Sequence, residues 1–324
     1  MKALAVFSGG LDSMLAAELV RAQDIEVLGL FFETPFFTSL RPLKSAAAIH
    51  LPLKVIDITG IHLEMVKNPR HGYGSRMNPC IDCHALMLAE AGKRLEQEGA
   101  RFLITGEVLG QRPMSQNRGA LTVVARESGF EGLILRPLSA RLLPATVPEQ
   151  SGWVKREELM AFSGRSRKPQ MRLAEVFGIR DYPSPAGGCL LTDVTFSRRL
   201  KDLLSSQSTL EVRELELLKV GRHFRTGPGT KVVVGRNQEE NEAICMLAKE
   251  GDLLLRTVTV PGPTVLVMGD VTPDWEEWLA SLTVSYSDAR GDESTGVRLS
   301  GKGNERILCA RPRPKSEFKG YMIE

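Results

Sequence analysis

Between an apolar run at residues 3–7 and an amphipathic stretch at 14–20 lies the turn Phe7-Ser8-Gly9-Gly10-Leu11-Asp12-Ser13. It constrains the fold more than any other segment. A buried strand must end and a helix must begin within a few residues. The unpaired N–H groups of the first helical turn point outward at the positive end of the helix dipole, so the junction is an anion site. Gly9 and Gly10 allow a phosphate close to the backbone, and Ser8 and Ser13 add hydroxyl donors. An ordinary capped turn would not need two serines, two glycines and an acid together. The turn lacks the Lys of G-x-x-x-x-G-K-[ST] and is not G-x-G-x-x-G.

The residues that follow alternate between strand and helix patterns. Residues 25–32, 53–58 and 101–105 read as further buried strands, 39–49 and 83–98 as helices, and the stretch between 58 and 83 as a polar loop. Continuous apolar strands alternating with helices predict an α/β fold, a doubly wound parallel sheet. Ligands of such sheets bind at the carboxyl ends of the strands. Residues 8–13, Phe32-Glu33-Thr34 and Thr105-Gly106-Glu107 all fall at such ends. Residues 149–180 read as helical and charged, and a Pro/Gly loop follows at 182–188. A domain boundary is expected just after it, giving domains 1–195 and 196–324. The second, smaller domain is expected to be α+β, with strands at 231–234, 253–260, 264–268 and 307–310 and one helix at about 239–249.

Length and composition suit a soluble two-domain protein of 324 residues, and no apolar stretch is long enough to span a bilayer. The first residues read as a core strand rather than a signal peptide. Five cysteines, an odd number in a chain of this size, argue against a disulfide framework and for the reducing cytoplasm. Cys80 and Cys83 form C-x-x-C, and Cys189 lies far downstream after a Pro/Gly loop. Two thiolates are too few for a metal site, and Cys189 is the candidate third. Three thiolates with one open position suit a [4Fe–4S] cluster, favoured over zinc, for which His84 is an awkward fourth ligand beside Cys83. Cys245 and Cys309 read as small buried hydrophobes.

The turn at Ser8 to Ser13 resembles the SGG-x-D-S pyrophosphate loop of the PP-loop ATP pyrophosphatases, whose fold is that of the adenine nucleotide alpha hydrolases. Asn78-Pro79-Cys80-Ile81-Asp82-Cys83 and Gly187-Gly188-Cys189 narrow the resemblance, which covers residues 1–195, to the PP-loop tRNA-uridine sulfurtransferases. It implies that ATP and Mg²⁺ bind at Ser8, Gly9, Gly10, Leu11, Asp12 and Ser13, with Phe32, Gly106 and Arg112 contributing. It implies catalytic roles for Asp12, Cys83 and Cys189. Cys83 would carry a persulfide, its thiol pKa lowered by the site, or Cys80, Cys83 and Cys189 would ligate a cluster that accepts sulfide. A uridine carbonyl would be adenylated, pyrophosphate released, and the oxygen replaced by sulfur. The sulfur donor would be sulfide, a cysteine desulfurase or a sulfur carrier. His84 stands where relatives often have Asn.

Val233-Val234-Gly235-Arg236-Asn237, Asn241, Asp252-Leu253-Leu254 and Val260-Pro261-Gly262 resemble the NFACT-R RNA-binding module, with its aromatic and His positions replaced. Lys219, Arg222, His223, Arg225, Lys231 and Arg236 occur without an intervening acid, and Arg165, Arg167 and Lys168 precede Cys189. Such runs suit a phosphate backbone, so tRNA is the expected partner, held by Arg165, Arg167, Lys168, Arg222, Arg225 and Arg236. Homodimerisation stays open. Two rivals remain. A PP-loop ligase or amidotransferase adenylating a small molecule explains the turn but not the cysteines. An RNA-binding protein with a relict ATP site explains the second half but not the intact turn.

Overall fold

The computed structural model describes every residue except 185–188, 207–209, 292, 302 and 324. The chain divides into two compact units, Met1–Thr192 and Asp193–Glu324.

The first unit is built on five parallel strands in the order β3-β2-β1-β4-β5, namely β1 (Lys2–Val6), β2 (Glu26–Glu33), β3 (Leu53–Asp57), β4 (Phe102–Thr105) and β5 (Ile134–Leu135). Its helices are α1 (Leu11–Arg21), α2 (Leu40–Ala48), α3 (Thr59–Lys67), α4 (Cys80–Gly92), α5 (Arg118–Ser128), α6 (Val147–Gln150) and α7 (Lys168–Val176). Successive strand residues face opposite sides of a sheet. Ala3 and Ala5 of β1 therefore join one apolar core with Met14, Leu15 and Ala174 of α1 and α7. Leu4 joins a second core with Leu88, Leu103 and Val124 of α4, β4 and α5. Both faces are covered, which is the doubly wound arrangement expected from the uninterrupted apolar strands.

The stretch read as a polar loop contains α3, whose buried face is His62, Leu63 and Val66. Residues 149–180, expected to be helical, are mostly irregular. Only α6, a single 3₁₀ turn at Arg156–Glu158 and α7 are helical. Gly152 (φ +67°) and Gly164 (φ +83°) take left-handed conformations that end any continuous helix there.

The second unit is an antiparallel sheet of order β11-β10-β8-β9-β7-β6. Its elements are α8 (Val194–Ser206), α9 (Val212–Leu218), β6 (Arg222–Gly227), β7 (Thr230–Val234), α10 (Gln238–Leu247), β8 (Leu253–Thr257), β9 (Val265–Met268), α11 (Pro273–Ser285), β10 (Thr295–Gly301) and β11 (Asn304–Ala310). Among the described residues, four helices stand where one was expected. In α8, Phe196, Leu200 and Leu203 recur at helical spacing and are buried, and α11 starts at a proline and buries the unbroken run 279–285. Among the described residues, no helix is long and apolar enough to cross a membrane.

Candidate nucleotide and sulfur site

The turn after β1 is held from three sides. Gly9 has φ +73°, and a Cβ there would stand 2.7 Å from Cα of Pro42 in α2. Ser45 of α2 donates its hydroxyl to the Gly9 carbonyl at 2.8 Å. Gly10 is the N-cap of α1, and its carbonyl accepts the Ser13 hydroxyl at 2.8 Å. Ser8 and Ser13 hydroxyls lie 3.4 Å apart. From the end of β4, Gly106 abuts the start of α1, where a Cβ would meet Ser13 N at 2.5 Å and Asp12 C at 2.6 Å. The backbone donors of the first turn and both serines are thus fixed before any ligand arrives.

Asp12 is the titratable group of this turn. Its Oδ2 accepts from Gln111 Nε2 at 3.1 Å, while Oδ1 is buried and has no donor at full hydrogen-bonding geometry among the described residues, the buried Gln170 amide being a near neighbour. Burial pushes the carboxyl above its usual range, although Gln111, Arg167, Gln170 and Arg112 oppose the shift. A buried carboxylate oxygen without a donor is what a hard cation would occupy, so Asp12 fits Mg²⁺. Arg112, expected at the nucleotide, and Arg167, expected on RNA, both act on Asp12. Phe32 is 2 % exposed and its ring packs in the second core with Leu4, Leu30 and Leu88.

Cys80 and Cys83 occupy the first turn of α4, three residues apart and so on one face. Asn78 Nδ2 donates to Cys80 Sγ at 3.2 Å. Cys83 Sγ lies 3.3 Å from Nε2 of His62, a residue of α3 that is fully buried between Phe36 and Phe37. Burial holds His62 neutral, with a pKa lowered to about 4. Burial also pushes the Cys83 thiol well above its ordinary value, with Cys189, Cys80 and Asp82 adding to the effect. Cys189 is raised to about 11 by burial first and then by Cys80. The three thiols therefore share one electrostatic neighbourhood. At Cys83 and Cys189 the surroundings raise the thiol pKa, the reverse of the lowering expected from the sequence, because burial outweighs the Leu191 backbone hydrogen bond and Arg112 that oppose it at Cys189. The described residues contain no group of three His, Cys, Asp or Glu side chains placed to hold a single metal ion. A cluster spans its thiolates more widely than one ion does, and three free thiols of soft character are its natural donor set. Gly187 and Gly188, quoted with Cys189 in the resemblance, lie outside the described residues.

Two features of this region were missed in the sequence. His62 lay in the presumed loop, although Ile61, Leu63 and Val66 beside it carry a helical apolar pattern. His84 was weighed only as a metal ligand. Its Nδ1 is 2.8 Å from Glu107 Oε1, and Glu107 Oε2 accepts from Arg136 Nε at 2.9 Å.

In the second unit, the basic run that is free of acids in sequence is not free of them in space. Arg225 forms two hydrogen bonds of 2.6 Å to the Asp202 carboxylate, Arg236 pairs with Glu240, and Lys219 with Glu216. Among the described residues Arg222 pairs with no carboxylate; its guanidinium lies 5.0 Å from the Tyr286 ring centroid, as does the Lys315 ammonium. Arg165 and Lys168 flank Arg167 at the start of α7.

Residues 1–141 match the family model described as thiamine biosynthesis protein (ThiI), and residues 221–322 match that of the NFACT protein RNA binding domain. A protein of Caldanaerobacter subterraneus described as a probable tRNA sulfurtransferase is 30% identical over 119 residues, 34% of this chain and 30% of its own length. A protein of Sulfurimonas denitrificans described as the tRNA-specific 2-thiouridylase MnmA is 31% identical over 118 residues, 33% of this chain and 35% of its own. The chain thus spans about a third of the length of the curated relatives it matches. A solved 4-thiouridine synthetase in complex with RNA and ATP superposes with a TM-score of 0.31 at 18% identity, over 55% of this chain and 51% of that one. By its segments, the chain is similar to the ThiI family over residues 1–141 and to the NFACT protein RNA binding domain over residues 221–322.

Proposed function

We propose that this protein is an ATP-dependent tRNA sulfurtransferase of the cytoplasm. The observation that carries the reading is the shared end of one sheet: a phosphate-binding turn with an unpartnered buried Asp12 oxygen, and three thiols, lie on loops and helix starts that a parallel sheet directs to the same side. The N–H groups at the start of α1, with Ser8 and Ser13, bind the phosphates of ATP. Asp12 would hold Mg²⁺, which would supply charge neutralisation at the phosphates. A uridine carbonyl oxygen forms a bond to the α-phosphorus as the bond to pyrophosphate breaks. Arg112 faces the charge that develops there. Sulfur then displaces the adenylate at the base carbon, and AMP leaves with the original oxygen.

Cys80, Cys83 and Cys189 would hold a [4Fe–4S] cluster, which supplies an iron site for incoming sulfide. Without it, Cys83 would carry the sulfur as a persulfide made by a separate donor. The raised thiol pKa values favour the cluster, because iron deprotonates a thiol outright whereas a free thiol here stays protonated at neutral pH. RNA is held by Arg165, Arg167 and Lys168 in the first unit and by Arg222 and Lys315 in the second. Arg225 and Arg236 serve the fold of the second unit through their ion pairs.

The test is incubation of the anaerobically prepared protein with ATP, sulfide and unmodified tRNA. AMP and pyrophosphate should form, and the tRNA should gain the mass of one sulfur-for-oxygen exchange. Formation of ADP and phosphate refutes the reading. Formation of AMP that does not depend on RNA supports a small-molecule ligase instead.

A further inference from the structure

Alternate residues of a strand face the same side of its sheet, so Lys231 and Val233 of β7 share a face. Val233 packs there with Leu217 of α9 and Ile244 of α10. On that side lies a cleft of about 240 Å³, lined by Lys231 together with Leu203 of α8, Arg213 of α9, Arg225 of β6, Lys249 and Met268 of β9. Every residue lining it belongs to the second unit.

Lys231 is 6 % exposed, a depth at which an ammonium is ordinarily paired. Among the described residues its Nζ makes no hydrogen bond and no ion pair. The surrounding acids are engaged elsewhere. Asp202 accepts from two nitrogens of Arg225, Asp252 accepts from Arg213 and from the Lys249 N–H, and Glu211 accepts from the Lys249 ammonium at 2.9 Å. Glu214 accepts the Glu211 N–H at 3.0 Å at the start of α9. Asp202 and Glu214 attract the Lys231 ammonium without reaching it, while Arg225 and Arg199 repel it. Burial dominates and lowers the amine to about 8, so most of it is still charged at neutral pH. The cleft thus presents a buried cation whose counter-charge is not built into the fold.

Such a group is complemented by an anion from outside. Pockets for drug-sized ligands begin at about 300 Å³, so this cleft admits a charged group rather than a whole nucleotide. Lys231 has all three donors to offer, Lys249 has two beyond its bond to Glu211, and Arg225 has one N–H left beyond Asp202, Ser206 and the Pro228 carbonyl. Donors from three side chains suit the three terminal oxygens of a phosphate monoester better than the two of a carboxylate. We propose that the cleft binds a terminal phosphate group, with Lys231 as its buried counter-charge. The proposed RNA partner supplies one source of that group, at a strand end, and the solution ion supplies the other. The site stands on the second unit alone and does not rest on the thiolation reading.

The test uses the full chain at constant ionic strength, with inorganic phosphate as the first probe. Lysine ¹³Cε spectra follow each amine. One amine should titrate near pH 8 instead of near 10.5, and phosphate should move its midpoint to higher pH, because a bound anion favours the charged form. Equilibrium dialysis should find one more phosphate per chain in wild type than in Lys231→Met, which keeps a long stem and drops the charge. Phosphate on the turn at residues 8–13 is common to both proteins and cancels. The second probe is a short single-stranded RNA ending in a 5′-phosphate or a 5′-hydroxyl. A preference of about tenfold for the phosphorylated RNA in wild type, lost in Lys231→Met, supports the site and assigns it to an RNA end. Equal binding of the two RNAs beside intact phosphate binding supports it and assigns it to the free ion. Equal phosphate binding by wild type and Lys231→Met overturns the inference. So does a low-titrating amine indifferent to phosphate, a result read on the wild-type chain alone and therefore decisive even where the variant unfolds.

Discussion

Gly106→Ala should damage ATP use far more than its single methyl suggests. The added Cβ would stand 2.5 Å from Ser13 N, 2.6 Å from Asp12 C and 2.7 Å from Ser13 Cα. All three are backbone atoms of the helix start, so no side-chain rotation relieves the clash. Ordinary contact begins near 3.4 Å, so β4 and α1 must part by about an ångström. Overpacking of this kind costs about 1–3 kcal/mol. A misplacement of about 1 Å at a reacting group can slow a reaction about a hundredfold. The displaced atoms belong to the turn proposed to bind the phosphates, so the expectation is a loss of about tenfold to a hundredfold in AMP formation, with a modest fall in Tm. Gly60→Ala in α3 is the control, because a Cβ there meets nothing within 4 Å. It should leave AMP formation unchanged. The assay is RNA-dependent release of AMP and pyrophosphate, alongside thermal unfolding. AMP formation by Gly106→Ala within about twofold of wild type would refute the tight seating of the phosphate turn.

Asp12→Asn should abolish AMP formation yet stabilise the ligand-free protein at neutral pH. Burial raises the Asp12 carboxyl in the folded state, so its ionised form opposes folding, and the native protein should gain stability from this group as pH falls through the raised value; a lower Tm at neutral pH would contradict this. Glu107 works in the opposite sense. Its folded pKa of about 2 lies below the ordinary 4.5, so its contribution is complete above pH 4.5 and fades as pH falls toward 2. Glu107→Gln leaves Arg136 buried without a counter-charge and should cost about 3–5 kcal/mol in urea unfolding, while flattening the acid limb; a loss below about 1 kcal/mol would mean the pair is solvated. In the second unit, Arg222→Ala should lower the salt slope of tRNA binding by about 0.7–0.9 at unchanged stability. Arg225→Ala should instead lower Tm, since Asp202 loses its partner, and an unchanged Tm with a reduced slope would return Arg225 to the RNA surface.

The fold of the first unit was legible because its strands are apolar throughout and punctuated by Gly and Pro. So was the phosphate turn, whose chemistry is local: Ser8, Gly9, Gly10 and Ser13 act on backbone within five residues of themselves. What was not legible depends on pairing across the chain. Nothing near His84 in sequence announces Glu107, 23 residues on, or Arg136 beyond it. The run from Lys219 to Arg236 looks cationic until Asp202 and Glu240 fold against it. The thiol pKa values are set by packing, which composition does not reveal. His62 was hidden for a simpler reason: α3 is short, and its polar half masked the apolar stripe.

Cys189 lies three residues before the end of the first unit, whereas Cys80 and Cys83 lie in its middle. Synthesis therefore delivers two thiols long before the third. A nascent chain can pair β1 with β2 and β4 and seat α4 while residue 189 is still unmade. During that interval Cys80 and Cys83 lack the third thiol that acts on them in the finished unit. Assembly of the trio coincides with completion of the unit, so any chemistry that needs all three thiols waits until the sheet and the turn at residues 8–13 have been made.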